Sequence, residues 1–229
     1  MKRKKLQIAI DGPVGSGKST VASALAKKLG LWYVDTGAMY RAAAYLVIKK
    51  GIDLNNEEEI LRWLKKANLE LSPGRENGCR VFLEGREVTG KIRSEAVGGV
   101  VAQVAQIPRV RKFLVSLQQK IAKDKGVVME GRDIGTRVLP EASVKIFLTG
   151  SLTERARRKQ KEILKRDGKI DFNKLYLAIK ERDEKDEKRE IDPLRKAEDS
   201  VEVDTTKLDI DGVVEKIMEL VKKLEKKWE

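Results

Sequence analysis

An α/β fold, with a parallel sheet covered by helices on both faces, is what the order of segments along this chain predicts. Three observations carry the expectation. Strand-like and helix-like stretches alternate along most of the 229 residues, as βαβ units require. The runs at 127–130 and 144–148 are almost continuously apolar, the texture of strands buried on both faces. The first strand feeds through a glycine-rich turn straight into a helix. The length allows one well-buried core plus an insertion or lid.

Each element has its own signal. The first strand is the apolar run at 6–10, and a helix over 19–29 stops at Gly30, a residue free to adopt the left-handed conformation that ends helices. Residues 31–35 read as a second strand ending on Asp35. Thr36 then stands where a cap is needed for a helix over 37–50, which stops at Gly51. Asn55 or Asn56 caps a third helix, rich in glutamate at its start and running to about Ala67. The texture changes over 68–89. Leu69-Glu70-Leu71, Cys79-Arg80-Val81-Phe82-Leu83 and Glu87-Val88 alternate, with turn signals Ser72-Pro73-Gly74 and Asn77-Gly78, so a small antiparallel meander is inserted here. Helices over 92–106 and 108–123 follow, the second opened by Pro108. After the two buried strands comes a long charged helical region over 152–190, broken near Asp167-Gly168. A strand at 201–204 and an amphipathic helix over 210–227 close the chain.

The turn after the first strand, Gly12-Pro13-Val14-Gly15-Ser16-Gly17-Lys18-Ser19, has the phosphate-binding spacing G-x-x-x-x-G-K-[S/T] in the strand–loop–helix context that pattern requires. Glycines let the backbone curl so that successive N–H groups converge on phosphate oxygens, and the helix N-terminus adds its positive end. Lys18 supplies a point charge for the outer phosphates, and the Ser19 hydroxyl is a ligand type for Mg²⁺. The bland alternative is a glycine-rich turn with a chance lysine. Strand, spacing and helix together argue for a nucleoside triphosphate site instead.

Composition narrows the chemistry. There is no histidine, so any mechanism must do without an imidazole base. Phosphoryl transfer survives that exclusion, because it relies on positioning and positive charge. Cys79 is the only cysteine, which leaves no internal disulfide. No run approaches the roughly 20 apolar residues of a membrane span, and the apolar run after the basic residues 1–5 is too short for a signal peptide. A cytoplasmic protein is expected. The net charge of +13 invites a nucleic-acid reading. Against it, basic and acidic residues are interspersed, as in Lys180-Glu181-Arg182-Asp183-Glu184-Lys185, and aromatic stacking platforms are sparse. A GTPase should carry N-K-x-D, and the nearest string, Asn173-Lys174-Leu175-Tyr176, lacks the aspartate.

Arginines and aspartates select among phosphate-loop enzymes. Glu130-Gly131-Arg132-Asp133-Ile134-Gly135-Thr136 follows a buried strand, so its side chains emerge at the carboxyl edge of the sheet, where ligands of open α/β folds bind. Asp35-Thr36-Gly37-Ala38-Met39-Tyr40-Arg41 occupies the equivalent edge after the second strand. Arg182, Asp186 and Arg189 share one stripe at i, i+4, i+7 spacing, which taken alone reads first as an exposed salt-bridge ladder and only second as a site. Several arginines around one cleft repel one another unless an anion neutralises them. A polyanionic substrate opposite the triphosphate resolves this.

Those segments, with Ile10-Asp11-Gly12-Pro13, Glu154-Arg155-Ala156, Arg158 and Asp204-Thr205-Thr206, resemble the bacterial cytidylate kinases over essentially the whole chain. The resemblance implies a P-loop kinase fold with an inserted nucleotide-monophosphate-binding domain and a helical lid. The core would comprise 1–35, 124–151 and 191–229, the monophosphate region 36–123 with its meander at about 68–89, and the lid 152–190. It implies transfer from ATP, with Mg²⁺, to CMP or dCMP. By the same resemblance Gly12, Pro13, Val14, Gly15, Ser16, Gly17, Lys18, Ser19 and Thr20 hold the ATP phosphates, with Ser19 on the nucleotide's Mg²⁺ and Arg155 and Arg158 in the lid. Arg41, Arg132 and Arg189 would grip the CMP phosphate beside Tyr40, and Lys18, Arg132 and Arg189 would act in catalysis. Thr36, Arg111 and Asp133 would read the cytosine edge, and Arg182 and Asp186 the ribose hydroxyls. The partners expected are therefore small nucleotides, with no nucleic acid or membrane, and a monomer. Two departures stand out: Ala102 where many members have a serine toward the base, and Lys159 where an arginine is frequent.

Overall fold

A computed structural model describes residues 6–74, 78–123, 125–167 and 169–225. Asn77 of the expected turn, Gly168 of the expected helix break and the end of the closing helix at 226–227 lie outside the described residues. The order is β1 (Gln7–Asp11), α1 (Lys18–Leu29), β2 (Trp32–Asp35), α2 (Thr36–Lys50), α3 (Glu57–Lys66), β3 (Glu70–Pro73), β4 (Cys79–Leu83), β5 (Arg86–Glu87), α4 (Glu95–Val104), α5 (Pro108–Ala122), β6 (Val127–Gly131), β7 (Val144–Thr149), α6 (Leu152–Asp167), α7 (Phe172–Glu187), β8 (Val201–Asp204) and α8 (Ile210–Glu225).

Five of these strands form one sheet in the order β2-β6-β1-β7-β8, every pair parallel. Alternation along the strands explains why both faces are covered. Ile8, Ile10, Val128 and Ile146 pack on Val21 and Leu25 of α1 and Val213 and Ile217 of α8. Ala9, Val34 and Met129 point the other way, onto Val115 and Ala122 of α5. β1 lies centrally, between β6 and β7. Its carboxyl end is therefore the crevice where an open α/β sheet receives ligands, and the phosphate loop leaves from there.

The inserted segment forms a three-stranded antiparallel sheet, β3-β4-β5. Val81 and Leu83 bury into a second apolar core with Met39, Ala43 and Leu46 of α2, Leu64 of α3, Val101 of α4 and Leu114 of α5. The third piece is slight. Among the described residues, α6 and α7 share a core of only Ala156, Leu175 and Ile179 as fully buried apolar side chains, with Val14 of the phosphate loop packed against it. So little buried apolar surface makes this helix pair the least anchored part of the fold.

Local expectations fail at four places. Asp35, not Thr36, caps α2: its carboxylate accepts the Ala38 N–H at 2.9 Å, and Thr36 is already helical. The helix expected over 92–106 begins only at Glu95, because Ser94 caps it and a 3₁₀ turn over Lys91–Arg93 precedes it. Residues Ile134–Val138 form a π-helical turn that no pattern announced. Finally, α7 ends at Glu187, so Arg189 lies beyond the helix and off the stripe of Arg182 and Asp186. Asn56, Pro108, Gly30 and Gly51 act as expected at their helix ends.

Candidate active site

The phosphate loop is shaped by close packing on both sides. Gly12 lies so near β7 that a Cβ there would sit 2.0 Å from the Leu148 carbonyl oxygen. Gly15 has φ +75°, and its Cβ would meet the Arg155 carbonyl oxygen at 2.6 Å, so α6 rests directly on the loop. Lys18 opens α1 yet is buried, its Nζ donating to the Pro13 carbonyl at 2.7 Å and to Ser16 Oγ at 3.4 Å. Burial pulls its ammonium well below the usual lysine value, to about 7, and neighbouring Arg132 adds to that push. Ser19 and Thr20 face solvent.

Two carboxylates tie this loop to β6 and to the turn beyond that strand. Ser19 Oγ donates to Glu130 Oε1 at 2.7 Å, and the Tyr33 hydroxyl donates to the same oxygen at 3.3 Å. Burial, then Asp35, pushes the Glu130 carboxyl up. Asp11, at the end of β1, accepts the N–H groups of Ile134 at 2.8 Å and Gly135 at 2.7 Å. Burial raises it from 3.8 to about 7 despite those two bonds. The start of the phosphate loop and the turn after Arg132-Asp133 are thus fixed by one side chain.

Across the crevice, Arg111 of α5 is 1% exposed. It donates to Asp133 from Nη2, to the Ala105 carbonyl from Nη1 at 3.2 Å and to Asp192 from Nε at 3.2 Å, and its guanidinium lies 5.3 Å from the Tyr40 ring centre. The Tyr40 hydroxyl is buried with no hydrogen-bond partner among the described residues. Arg132 donates from Nε to Asp186 at 2.8 Å and from Nη1 to the Gly131 carbonyl at 3.3 Å. Arg182 meets the same carboxylate at 3.3 Å. Burial would push Asp186 up, but Arg132 and Arg182 outweigh it and hold the carboxyl below its ordinary range. Arg41 is half-buried, with no ion pair or side-chain hydrogen bond among the described residues.

Some expected residues are occupied differently. The Thr36 hydroxyl donates to the Glu130 carbonyl at 2.8 Å, a bond to the sheet. Arg189 donates to the Ile191 carbonyl at 2.8 Å and to that of Asp192, bracing the corner after α7. Arg155 clasps the loop, donating to the Gly150 and Val14 carbonyls at 2.9 Å each and to Asp183, whose other oxygen accepts the Val14 N–H at 3.2 Å. Arg158 holds β8, donating to Thr205 Oγ1 at 2.8 Å and to the Thr205 carbonyl at 2.5 Å. Asp11, Glu130, Asp183 and Asp192 join this constellation although sequence reasoning gave none of them a role. The first three lie inside or beside the motifs that carry the resemblance, whereas nothing local marked Asp192.

Residues 8–223 match the family model described as cytidylate kinase. A cytidylate kinase of Carboxydothermus hydrogenoformans is 50% identical over 216 residues, covering 94% of this chain and 97% of that protein. One from Bacillus licheniformis is 47% identical over 220 residues, covering 96% and 97%. In structure, an uncharacterized protein from Eubacterium ventriosum matches with a TM-score of 0.52 over 96% of this chain and 99% of that one, at 14% identity, a likeness of fold.

Proposed function

This chain belongs to the cytidylate kinase family, and from that premise we infer that it phosphorylates CMP and dCMP with ATP, giving CDP and dCDP. The observation that carries the reading at this site is the pairing of one buried phosphate-loop lysine, Lys18, with Arg132, which is near enough to depress its ammonium and which shares the Asp186 carboxylate with Arg182. One half suits a triphosphate and the other a monophosphate.

In this reading the loop 12–20, through its backbone N–H groups other than Pro13, which has none, and Val14, which donates to Asp183, takes the ATP phosphates together with Lys18. Arg41, Arg132 and Arg189 take the acceptor phosphate, and Asp186 with Arg182 takes the ribose. Asp133 accepts from the exocyclic amine that distinguishes cytosine from uracil. Arg111 donates to the carbonyl oxygen and the unprotonated ring nitrogen, which in uracil is an N–H. Such a pocket penalises the analogue that leaves its buried groups unpaired. The acceptor is a phosphate oxygen already anionic near neutral pH, so direct in-line transfer needs no general base, in keeping with a chain that has no histidine. Catalysis then rests on alignment and on neutralising the moving phosphoryl group.

The oxygen donors of Ser19 and Glu130 suit a hard cation, so Mg²⁺ carried by the triphosphate would be held beside Ser19, where it would neutralise phosphate charge. Residues 152–190 serve as a lid over the core, and 36–123 as the monophosphate region. Closure excludes water that would otherwise hydrolyse ATP. Both nucleotide halves come from one chain, which suits a monomer, and a cytoplasmic location belongs to the same reading, with no helix among the described residues long and apolar enough to cross a membrane. Steady-state kinetics with ATP·Mg²⁺ against CMP, dCMP, UMP and AMP tests the reading. CMP and dCMP should give the highest kcat/KM, and a preference for AMP or UMP would overturn it.

A further inference from the structure

The corner that follows α7 does more than connect it to β8. Asp192 has φ +48°, a left-handed conformation that aspartate tolerates better than most residues. Its carbonyl accepts from Arg189 and its carboxylate points back across the fold, with one oxygen 3.2 Å from Arg111 Nε and the other 3.5 Å from Arg137 Nε. The chain separation between Arg111 and Asp192 is 81 residues, so this contact is made by the fold and not by local sequence.

The consequence lies in the donor inventory of Arg111. A guanidinium has five N–H groups in one rigid plane. Asp192 takes the single Nε hydrogen, the Ala105 carbonyl one on Nη1 and Asp133 one on Nη2. Among the described residues, one N–H remains unspent on each terminal nitrogen. The three contacts engage all three nitrogens of the plane, and Asp192 holds it at Nε. Removing Asp192 leaves the fork charged and held by Ala105 and Asp133 at its terminal nitrogens, with nothing fixing the Nε end of the plane.

We propose that Asp192 is a specificity-determining positioning residue, fixing the Arg111 fork so that its two unspent N–H groups meet the two acceptors of the pyrimidine edge. The proposal rests on the reading of Arg111 as a base contact. It also makes the corner after α7 part of the base pocket, so that the end of this helix and the base-reading arginine are held in one register.

The experiment compares wild type with Asp192→Asn and Asp192→Gly. Both replacements accept the left-handed backbone; Gly removes the acceptor altogether, whereas Asn keeps a neutral amide oxygen that can still accept the Arg111 Nε–H. Gly should raise the KM for CMP and lower the CMP-over-UMP ratio of kcat/KM by about tenfold, the scale of one charge-assisted hydrogen bond, and Asn should do the same to a smaller extent. The kcat at saturating CMP should stay within about twofold and the KM for ATP unchanged, a split that a merely structural ion pair would not produce. Wild-type KM and CMP/UMP ratio in the Gly variant overturn the proposal, as does a loss confined to kcat or one larger with Asn than with Gly. Failure of the underlying reading looks different: the wild type itself would then not prefer CMP over UMP.

Discussion

The Gly135 amide donates to the Asp11 carboxylate at 2.7 Å, across 124 residues of chain. Asp11 ends the strand from which the phosphate loop departs, and Gly135 belongs to the turn directly after Arg132 and Asp133. A single buried side chain therefore sets the distance between the two halves of the site. Two N–H groups converge on it, from Ile134 and Gly135, as at the N-terminus of a helix.

That burial has a pH signature. Asp11 is raised from 3.8 to about 7, first by desolvation. A carboxyl whose folded-state value exceeds its unfolded one favours the folded state while protonated. Its contribution is complete below about 4 and is lost as pH rises through about 7. Asn at this position has no proton to lose. Urea unfolding of the nucleotide-free protein should show wild-type stability falling relative to Asp11→Asn between about pH 4 and 7, then running parallel above it. Curves parallel across the whole range would mean Asp11 is not perturbed.

Much of the architecture was legible because its causes are local. Period, a phosphate-loop spacing and helix punctuation place β1, α1 and α5, and Gly30 and Gly51 stop their helices through left-handed φ of +63°. The α2 cap differs from expectation because strand and helix abut without a linker, leaving two side chains able to cap. Asp35 took the backbone N–H, while Thr36 went to a strand carbonyl that only the fold brings near. The site shows the same division. Its residue types were readable, but which guanidinium meets which carboxylate was not. Arg132 and Asp186 are 54 residues apart, and no periodicity reports a partner at that range.

Lys18 yields a second prediction. Desolvation and then Arg132 lower its ammonium to about 7, so at pH 8 the free protein holds this lysine mostly neutral. A triphosphate opposite it favours the charged form and raises the value again. ATP binding at pH 8 should therefore take up protons, approaching one per site, and affinity should weaken as pH climbs above about 7. Calorimetry in two buffers of different ionisation enthalpy measures the uptake. Lys18→Met should abolish it and reduce kcat by about 10²–10³ or more with the fold intact. Retained kcat would refute the catalytic role.

Two glycines with similar φ separate a local cost from a functional one. At Gly30 nothing lies within 4 Å of the place a Cβ would take, so Gly30→Ala meets only the left-handed penalty, about 1–2 kcal/mol. The melting midpoint should fall by about 2–4 °C per kcal/mol, with kcat and both KM values unchanged. Gly15→Ala carries the same backbone penalty at φ +75° and also drives a methyl against the Arg155 carbonyl at 2.6 Å. The loop and α6 must then separate, so the KM for ATP should rise by about tenfold or more. Equal kinetic effects from the two substitutions would show that the contact between loop and α6 has no part in ATP binding.

Asp133→Ala tests the base-reading pair itself. Arg111 is almost fully buried, and removing the only partner of a buried charge costs about 3–5 kcal/mol. Here Asp192 still neutralises the guanidinium, so the loss should fall below that range and the protein should remain folded at 25 °C. The kinetic effect is more selective. Without Asp133 nothing accepts the exocyclic amine of cytosine, and Arg111 loses the contact on its Nη2 side. The kcat/KM for CMP should drop by about 10²-fold and that for UMP by much less, since uracil offers no amine there. The KM for ATP should stay within about twofold, because Lys18 is held by the Pro13 carbonyl and Ser16, and Ser19 by Glu130, none of which touches Asp133. An unchanged CMP/UMP preference in this variant would remove Asp133 from the base pocket.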